Sequence, residues 1–346
     1  MGAFTDVGEQ ALIEDDNLSL PSVLNSSFVL RAQYMNVNKS NAQSITSWNI
    51  PADAVLLMAG RIGSNAGAFV EFNGGAANWQ MLTSFDFDTV KGGLNAQNSG
   101  FGPTAAIEVS NVFGQHGGKL NGKALSSVNT ILTGIGGGNT TSVAAWVGNE
   151  SFLVQAAGVA FTNAANVKNA SFVPMLRALY IADLGAAEVL IGGGILSGTQ
   201  RSGNAAGIQV NSQGADAKFV DLQVQGEMGD MSYGVYADWT ATKAKSTAGG
   251  VSTNLFAGGV NSKKDGYSFR VEVSPMHKLM IGLGAAKIKT TPIAGVATKL
   301  TSTQVAVTYE IYQNMEINTW YKSDKTTNAA PSVKTKTVFA EVEALF

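Results

Sequence analysis

Residues that could act as nucleophiles, general bases or metal ligands are sparse in this sequence. There are no cysteines and two histidines, His116 and His277. The lack of cysteine excludes disulfides, thiolate metal sites and covalently attached c-type haem, and two isolated histidines do not make a transition-metal site. Ser126 and Ser127 share a segment with His116, but a nucleophile and its base must be held together, and this pairing is weak. We therefore expect neither catalysis nor a bound cofactor.

Charged side chains, in contrast, recur at alternate positions of apolar segments. Arg270 and Glu272 alternate with Phe269, Val271 and Val273. A period of two indicates a β-strand with one apolar face and one polar face. Charges gathered around an aqueous passage with low-dielectric walls focus an electric field that selects ions. The chemistry that these residues allow is electrostatic rather than covalent.

The composition points to strands that meet an apolar environment. Charged residues make up 14% of the 346 residues, well below the roughly 25% of soluble domains. No apolar run approaches the ~18–20 residues of a membrane helix, because the best candidate, 52–62, contains Asp53 and Arg61. A helical membrane protein is therefore excluded. The net charge of −2 also excludes a nucleic-acid-binding footprint.

The alternating segments divide the chain into sixteen predicted strands, whose connections are in turn short and long. Turn-forming residues mark the short connections, as at Gly148-Asn149-Glu150 and Gly229-Asp230. The predicted strands are 26–38, 54–62, 66–73, 79–87, 91–98, 139–147, 152–160, 172–184, 186–197, 215–228, 231–243, 265–274, 278–289, 300–312, 314–325 and 334–346. The predicted long connections are 39–53, 74–78, 99–138, 161–171, 198–214, 244–264, 290–299 and 326–333.

The C-terminal segment carries the most specific pattern. Phe346 ends the chain, and every second residue before it is apolar, with two glutamates between them: Val338, Ala340, Val342, Ala344, Glu341 and Glu343. This ending resembles the closing strand of bacterial outer-membrane β-barrels, and 26–346 as a whole resembles the sixteen-stranded general porins. The resemblance implies an all-β fold, a transmembrane antiparallel β-barrel with short periplasmic turns and long external loops. It also implies that Phe346 belongs to the signal read by the barrel assembly machinery.

The porin resemblance carries further expectations about function and partners. It implies a water-filled channel for passive diffusion of small hydrophilic solutes and ions, placed in the lipid of the bacterial outer membrane after removal of a signal peptide. General porins are usually homotrimers, and the small-residue strands 139–147, 152–160 and 186–197 are candidates for the trimer contact, as are the first strands. Residues 1–25 form an acidic N-terminal extension before the barrel at 26–346. The sequence leaves open whether this extension is solvated, lies at the periplasmic mouth or enters the lumen.

The longest connection, 99–138, resembles the third porin loop, which folds into the lumen and narrows it. The stretch 124–132 favours a short helix within this loop. Glu108 would stand at the constriction, with Lys119 and Lys123 completing a transverse field. The alternative is an external loop that packs on a neighbouring subunit.

Parity within the strands selects the charged residues that point inward, since a charge facing lipid at mid-depth costs about 2 to 4 kcal/mol. Acidic residues outnumber basic ones in this set, so we expect a weakly cation-selective pore. The pore-lining candidates are Arg31, Arg61, Glu71, Asp86, Lys91, Glu108, Arg177, Asp183, Asp221, Glu227, Asp238, Arg270, Glu272, Glu310, Glu316 and Lys322.

Other classes compete with the channel. A barrel without any Cys-x-x-Cys-His could sheathe a separate cytochrome in an electron conduit, and 48–51, 59–62 and 68–72 resemble segments of barrels associated with cytochromes. A haem partner in the purified complex would distinguish the two. A barrel enzyme is disfavoured by the sparse catalytic residues. A soluble β-solenoid or lectin-like sandwich explains neither the alternation of loop lengths nor the terminal Phe346.

Overall fold

The computed structural model of the chain describes residues 25–74, 77–99, 126–132, 140–161, 171–203, 209–244, 253–257, 262–292, 296–328 and 331–346. These residues form strands and one short helix. Within them, no helix has the length and apolar character needed to cross a membrane. The predicted N-terminal extension lies almost wholly outside the described residues, as do Glu108, His116 and most of the predicted loop 99–138.

The described chain is a succession of strands, with the helix α1 (Ser127–Ile131) between the sixth and the seventh. The helix falls within the stretch for which a short helix was predicted. The strands are β1 (Asn25–Lys39), β2 (Ile45–Gly63), β3 (Ala66–Phe72), β4 (Ala77–Thr83), β5 (Phe85–Asp86), β6 (Lys91–Ser99), β7 (Thr140–Gly148), β8 (Phe152–Ala160), β9 (Val173–Asp183), β10 (Ala187–Leu196), β11 (Thr199–Gly203), β12 (Gln209–Gly214), β13 (Ala217–Met228), β14 (Met231–Lys243), β15 (Lys263–Met276), β16 (Leu279–Thr291), β17 (Thr298–Tyr312), β18 (Met315–Thr327) and β19 (Val333–Leu345).

The sheet closes into a barrel because β1 pairs antiparallel with both β2 and β19. At this seam Arg31 stands opposite Glu343, and the amide of Phe28 donates a hydrogen bond to the carbonyl of Phe346 over 3.0 Å. β4 and β5 both pair with β6 and count as one strand of the wall, while β11 and β12 form a separate hairpin. The described wall therefore has sixteen strands, and the predicted antiparallel barrel is confirmed.

The two faces of the wall differ in chemistry because successive side chains on a strand point in opposite directions. One face exposes large apolar side chains, with Leu94 and Leu283 at 59% and 60% exposure. The other face buries charged side chains, with Arg177 and Arg270 at 1% and 2%. A closed barrel encloses one of its faces, so the charged face is inward and the apolar face is outward.

Strand β2 begins earlier than the sequence predicts. Residues 45–53, predicted as part of a long connection, continue the pairing with β1 as far as Val37 opposite Ile45. The register shifts within this pairing, and such an irregularity accommodates Pro51, which has no amide hydrogen to donate to the ladder. The connection predicted at 39–53 is therefore confined to 40–44, because pairing with β1 extends β2 through Pro51 as far as Ile45.

Two other segments depart from the prediction. The predicted strand 79–87 is divided at Thr83, whose side-chain hydroxyl accepts the amide hydrogen of Leu94 over 2.8 Å and so replaces a backbone acceptor of the ladder. The predicted loop 198–214 contains the hairpin of β11 and β12. Neither change alters the inward and outward faces of the wall.

The wall is lower on one side than on the other. β3 and β4 have 7 residues each and β6, β7 and β8 have 9 each, whereas β13 to β19 have 12 to 15. A strand tilted by about 45° needs about 9–11 residues to cross the hydrocarbon core of a bilayer. We call β3 to β8 the short wall and β13 to β19 the tall wall.

Candidate functional site

The helix α1 is fixed to the inward face of the tall wall through one carboxylate. Asp238 on β14 accepts hydrogen bonds from the Ser126 hydroxyl over 2.6 Å and from the Ser127 amide over 2.8 Å. The Ser127 hydroxyl also donates to this carboxylate, and the Ser127 amide lies 3.1 Å from the hydroxyl of Ser268 on β15. Bonds to a buried carboxylate are stronger than bonds between neutral groups. They hold the start of α1 inside the barrel.

An apolar cluster fills the space around α1. Val128, Ile131 and Leu132 are at most 1% exposed. They pack with inward side chains of β8, β9, β10, β13 and β16 and with Phe256. This side of the interior, toward the long-loop ends of the strands, is packed with side chains rather than open.

Beside this cluster, a buried salt bridge passes over a glycine of the strand that lies between its two partners. Arg177 on β9 pairs with Asp221 on β13, and each side chain is 1% exposed. Gly192 on the intervening strand β10 makes room for the pair, because a Cβ there would lie 2.5 Å from Arg177 Nη2 and 2.6 Å from Asp221 Oδ1. The guanidinium also lies over the ring of Phe219 at 5.0 Å. Gly192 therefore has a packing role inside the barrel.

A cavity of about 400 Å³ lies near the short turns of the tall wall. Its lining includes Gln225, Glu227, Tyr236 and Glu272. The Gln225 amide donates to the Tyr236 hydroxyl over 2.8 Å, and the Arg270 guanidinium lies 5.6 Å from the Tyr236 ring. The cavity offers carboxylates and hydrogen-bonding groups to a polar solute.

A row of charged side chains crosses the inward face at the seam of the barrel. We call it the seam row: Asp53, Arg31, Glu343, Glu316 and Glu310 stand directly opposite one another on β2, β1, β19, β18 and β17. Arg31 lies 2.6 Å from Glu343 and 3.0 Å from Asp53. The row holds four carboxylates and one guanidinium, so its net field is negative.

Inward side chains near the seam and on the first strands differ in burial. Gln33, Arg61, Gln80 and Lys322 are half-buried, whereas Arg31, Glu71 and Asn318 are buried. Among the described residues, no member of the apolar cluster around α1 lies on β1 to β4 or β18, and we call the inward faces of these strands the α1-free side.

Solved structures of outer-membrane proteins share this architecture. No protein-family model and no curated protein matches the sequence. Among solved structures, OmpT, an outer membrane protein of Vibrio cholerae, has a TM-score of 0.60 at 13% identity, over 93% of this chain and 97% of that one. The anion-selective porin from Comamonas acidovorans has a TM-score of 0.56 at 11% identity, over 94% and 99%. The outer membrane channel DcaP of Acinetobacter baumannii has a TM-score of 0.58 at 10% identity, over 93% and 97%.

This is the fold of the outer-membrane porins. All predicted lining residues within the described ranges lie on the inward face of the porin barrel, as their paired neighbours show. The structure brings them together in three groups, and whether they line a conducting path stays a prediction. The first group belongs to the seam row and comprises Arg31, Glu310 and Glu316. The second lies on the inward side of the tall wall and β9 and comprises Arg177, Asp221, Asp238, Arg270 and Glu272. The third is exposed at the rim beside short turns and comprises Asp86, Lys91, Asp183 and Glu227.

The remaining predicted residues stand apart from these groups. Glu71 is buried on β3 and Arg61 reaches the carbonyl of Ser64 over 3.3 Å. Lys322 pairs with Asp324 over 2.8 Å on the same strand. His277 is exposed in the turn between β15 and β16, and among the described residues no group of three acidic or histidine side chains is arranged to hold a metal.

Sequence reasoning missed the roles of three residues of the site. Asp53 was placed in a loop, although it bonds Arg31 from β2. Ser126 and Ser127 were considered only as weak nucleophiles, whereas they bind Asp238. Serine just before a helical segment is a signal for an N-cap, and this signal indicated a helix start without indicating the partner on β14.

Proposed function

We propose that this chain forms a channel in a bacterial outer membrane through which small hydrophilic solutes and ions diffuse passively. The observation that carries the proposal is the reversal of chemistry across one closed wall, with apolar side chains outside and ionisable or amide side chains inside. An apolar exterior suits lipid, and a barrel of about sixteen strands is wide enough for an aqueous lumen. Solutes follow the α1-free side, since α1 and its cluster occupy the space along other strands.

The channel prefers cations weakly. The seam row has an excess of carboxylates, and Glu316 stands directly opposite both Glu310 and Glu343. Carboxylates that face one another repel, and a passing cation relieves that repulsion. Arg61 and Lys322 also lie on the α1-free side, which keeps the preference small.

The functional unit is a homotrimer that associates through the short wall. Strands of 7 residues in β3 and β4 are shorter than the about 9–11 residues needed to cross a bilayer, and oligomerisation covers such a mismatch. In the described ranges, the outward positions of β2 to β10 carry no charged residue. The Vibrio cholerae OmpT that shares this fold has a trimer form, which supports the same arrangement here.

Planar-bilayer recording of purified, heat-modifiable protein tests the channel. We expect conductance in groups of three equal steps and a reversal potential in a KCl gradient that shows a small cation preference. The double variant Glu310→Gln/Glu316→Gln should reduce this preference, while Asp183→Asn at the rim should change it less.

Two results would overturn these proposals. Folded protein that never conducts would refute the channel, and a haem protein bound to the purified barrel would then favour a cytochrome sheath. A clear anion preference would refute the assignment of selectivity to the seam row while leaving the channel in place.

A further inference from the structure

The outward face of the tall wall carries a band of lysines. Strand pairing places nine lysines on the same face as the exposed apolar side chains, toward the long-loop ends of the strands. Eight are exposed and Lys289 is half-buried. We call this set the lysine band: Lys218, Lys243, Lys263, Lys287, Lys289, Lys299, Lys325, Lys334 and Lys336.

Six of these lysines face one another directly across neighbouring strands. The three pairs are Lys243 with Lys263, Lys289 with Lys299, and Lys325 with Lys334. Side chains in such pairs have Cβ atoms about 4.5–5.5 Å apart, and like charges there destabilise the sheet. Three repulsive pairs in one band indicate that something anionic lies against it.

Within the described residues the protein supplies little of that negative charge. Asp265, which stands directly opposite Lys289, is the single carboxylate among the described outward positions of β13 to β19. In the same part of the chain, none of the nine lysines makes a salt bridge. One carboxylate against nine lysines leaves most of the positive charge of the band uncompensated by the described residues.

The height of the band on the barrel identifies the surroundings. Lys287 stands opposite Tyr267, which stands opposite Trp239, and the Lys218 ammonium lies 5.4 Å from the Trp239 ring. Aromatic rings of this kind mark the interface between the hydrocarbon core and the headgroups. Below them the outward face is apolar, as at Val271 and Leu283. The ammonium groups thus lie at headgroup level, on the side of the membrane where the long loops emerge.

The band is restricted to one side of the barrel. The outward positions of β2 to β10 hold no charge in the described ranges, including the short wall. A general need for solubility would distribute lysines around the whole rim. The restriction matches a barrel whose tall wall faces lipid and whose short wall does not.

We propose that the lysine band binds the phosphate groups of anionic lipid headgroups in the leaflet on the long-loop side. Ammonium groups at a membrane surface contribute about 1 kcal/mol each toward anionic lipid, and phosphate oxygens accept several hydrogen bonds from the three N–H groups of lysine. The inference goes beyond the channel, since it concerns the outer wall and holds whether or not the lumen conducts.

Binding of defined lipids to the detergent-purified protein, followed by native mass spectrometry, tests the proposal. The probes are a bisphosphorylated lipid A, the same lipid after removal of both phosphates, and phosphatidylcholine. We expect binding of the bisphosphorylated lipid alone. The variant Lys263→Gln/Lys299→Gln/Lys325→Gln removes one member of each pair and leaves Lys289 facing Asp265. It should weaken this binding about a hundredfold, from roughly fivefold per lysine.

Lys278→Gln is the matched control, because Lys278 is exposed in a short turn at the other end of the barrel. It should leave lipid binding unchanged, whereas Lys289→Gln should weaken it about fivefold. Equal loss in both variants, equal binding of the dephosphorylated lipid, or full competition by inorganic phosphate at the concentration of the lipid would overturn the proposal.

Thermal unfolding provides a second readout, which also shows whether the variant is folded. In a non-ionic detergent the triple variant should unfold at a higher temperature than the original chain, because three repulsive contacts are gone. On addition of the bisphosphorylated lipid, the original chain should be stabilised more than the variant. An equal lipid-induced shift of the unfolding temperature in the two proteins would refute the idea that the band is built for an anionic partner.

Discussion

Adding one methyl group at Gly192 should destabilise the barrel, while the same change at the next residue should not. The Cβ of Gly192→Ala would lie 2.5 Å from Arg177 Nη2 and 2.6 Å from Asp221 Oδ1, against the 3.4–4 Å of ordinary contact. The salt bridge must then move by about 1 Å or separate. At Gly193 the added Cβ would point outward, and its nearest neighbour is a carbonyl oxygen at 3.4 Å.

The expected magnitude combines three effects. Overpacking of a filled interior costs about 1–3 kcal/mol. Replacing glycine by alanine in an extended strand returns about 0.4–1 kcal/mol, because the unfolded chain loses freedom. We therefore expect Gly192→Ala to lower the free energy of unfolding by about 1–2 kcal/mol, and by about 3–5 kcal/mol if the buried pair is broken. Gly193→Ala should leave it unchanged or raise it slightly.

Guanidinium unfolding in detergent micelles, followed by tryptophan fluorescence, measures the difference as a shift of the midpoint at constant slope. In a background with Arg177→Ala and Asp221→Ala, the cost of Gly192→Ala should largely disappear, since the methyl group then enters empty space. Equal midpoint shifts for the two glycine variants would refute the assignment of Gly192 to the inward face. An undiminished cost in the double-alanine background would show that the salt bridge is not what the methyl group meets.

Three further variants test the site and the assembly. Asp238→Ala removes the acceptor of Ser126 and Ser127, which costs about 3 kcal/mol for hydrogen bonds to a charged group. The amides of 127–132 should therefore exchange hydrogen roughly a hundredfold faster, and the channel current should become noisier. Asp183→Ala is the control and should change neither. Arg31→Gln removes the one guanidinium of the seam row, so the reversal potential should move toward stronger cation preference, whereas the outward Lys336→Gln should not move it. Ala156→Arg and Ala285→Arg both place a charge at an exposed outward alanine, and native mass spectrometry should show loss of the trimer for Ala156→Arg on the short wall alone.

The fold was predictable because period-two patterning is local. Alternation marked almost every strand, and glycine, asparagine and aspartate marked the short turns. The failures occurred where tertiary pairing overrides local chemistry. Pro51 resembles a loop residue, yet its neighbours pair with β1 across an irregular register. Thr83 resembles any strand threonine, and the division of the strand depends on its contact with Leu94.

The site was less predictable, because parity gives the face of a residue and not its partner. Arg31 and Glu343 meet only when the barrel closes, and they are 312 positions apart in sequence. Asp238 was expected on the inward face, but its hydrogen bonds to Ser126 and Ser127 depend on how a long connection returns to the barrel. The lysine band was visible as alternate lysines, for instance at 287 and 289, and its meaning emerged only from the directly opposed pairs on neighbouring strands.

Because neighbouring residues of a strand point to opposite faces, the channel proposal and the lipid-binding proposal can be tested separately on the same strands. Lys289 points outward from β16, whereas its neighbour Ile288 points inward and packs in the cluster with Ile131 of α1. If each face acts independently, Lys289→Gln should weaken lipid binding and leave the current unchanged, Asp238→Ala should do the reverse, and the stability effects should add within about 0.5 kcal/mol. A change of current noise in Lys289→Gln that depends on the bisphosphorylated lipid would show coupling instead. Lipid phosphate would then position β16 and, through Ile288, the helix α1 that packs on the inward face.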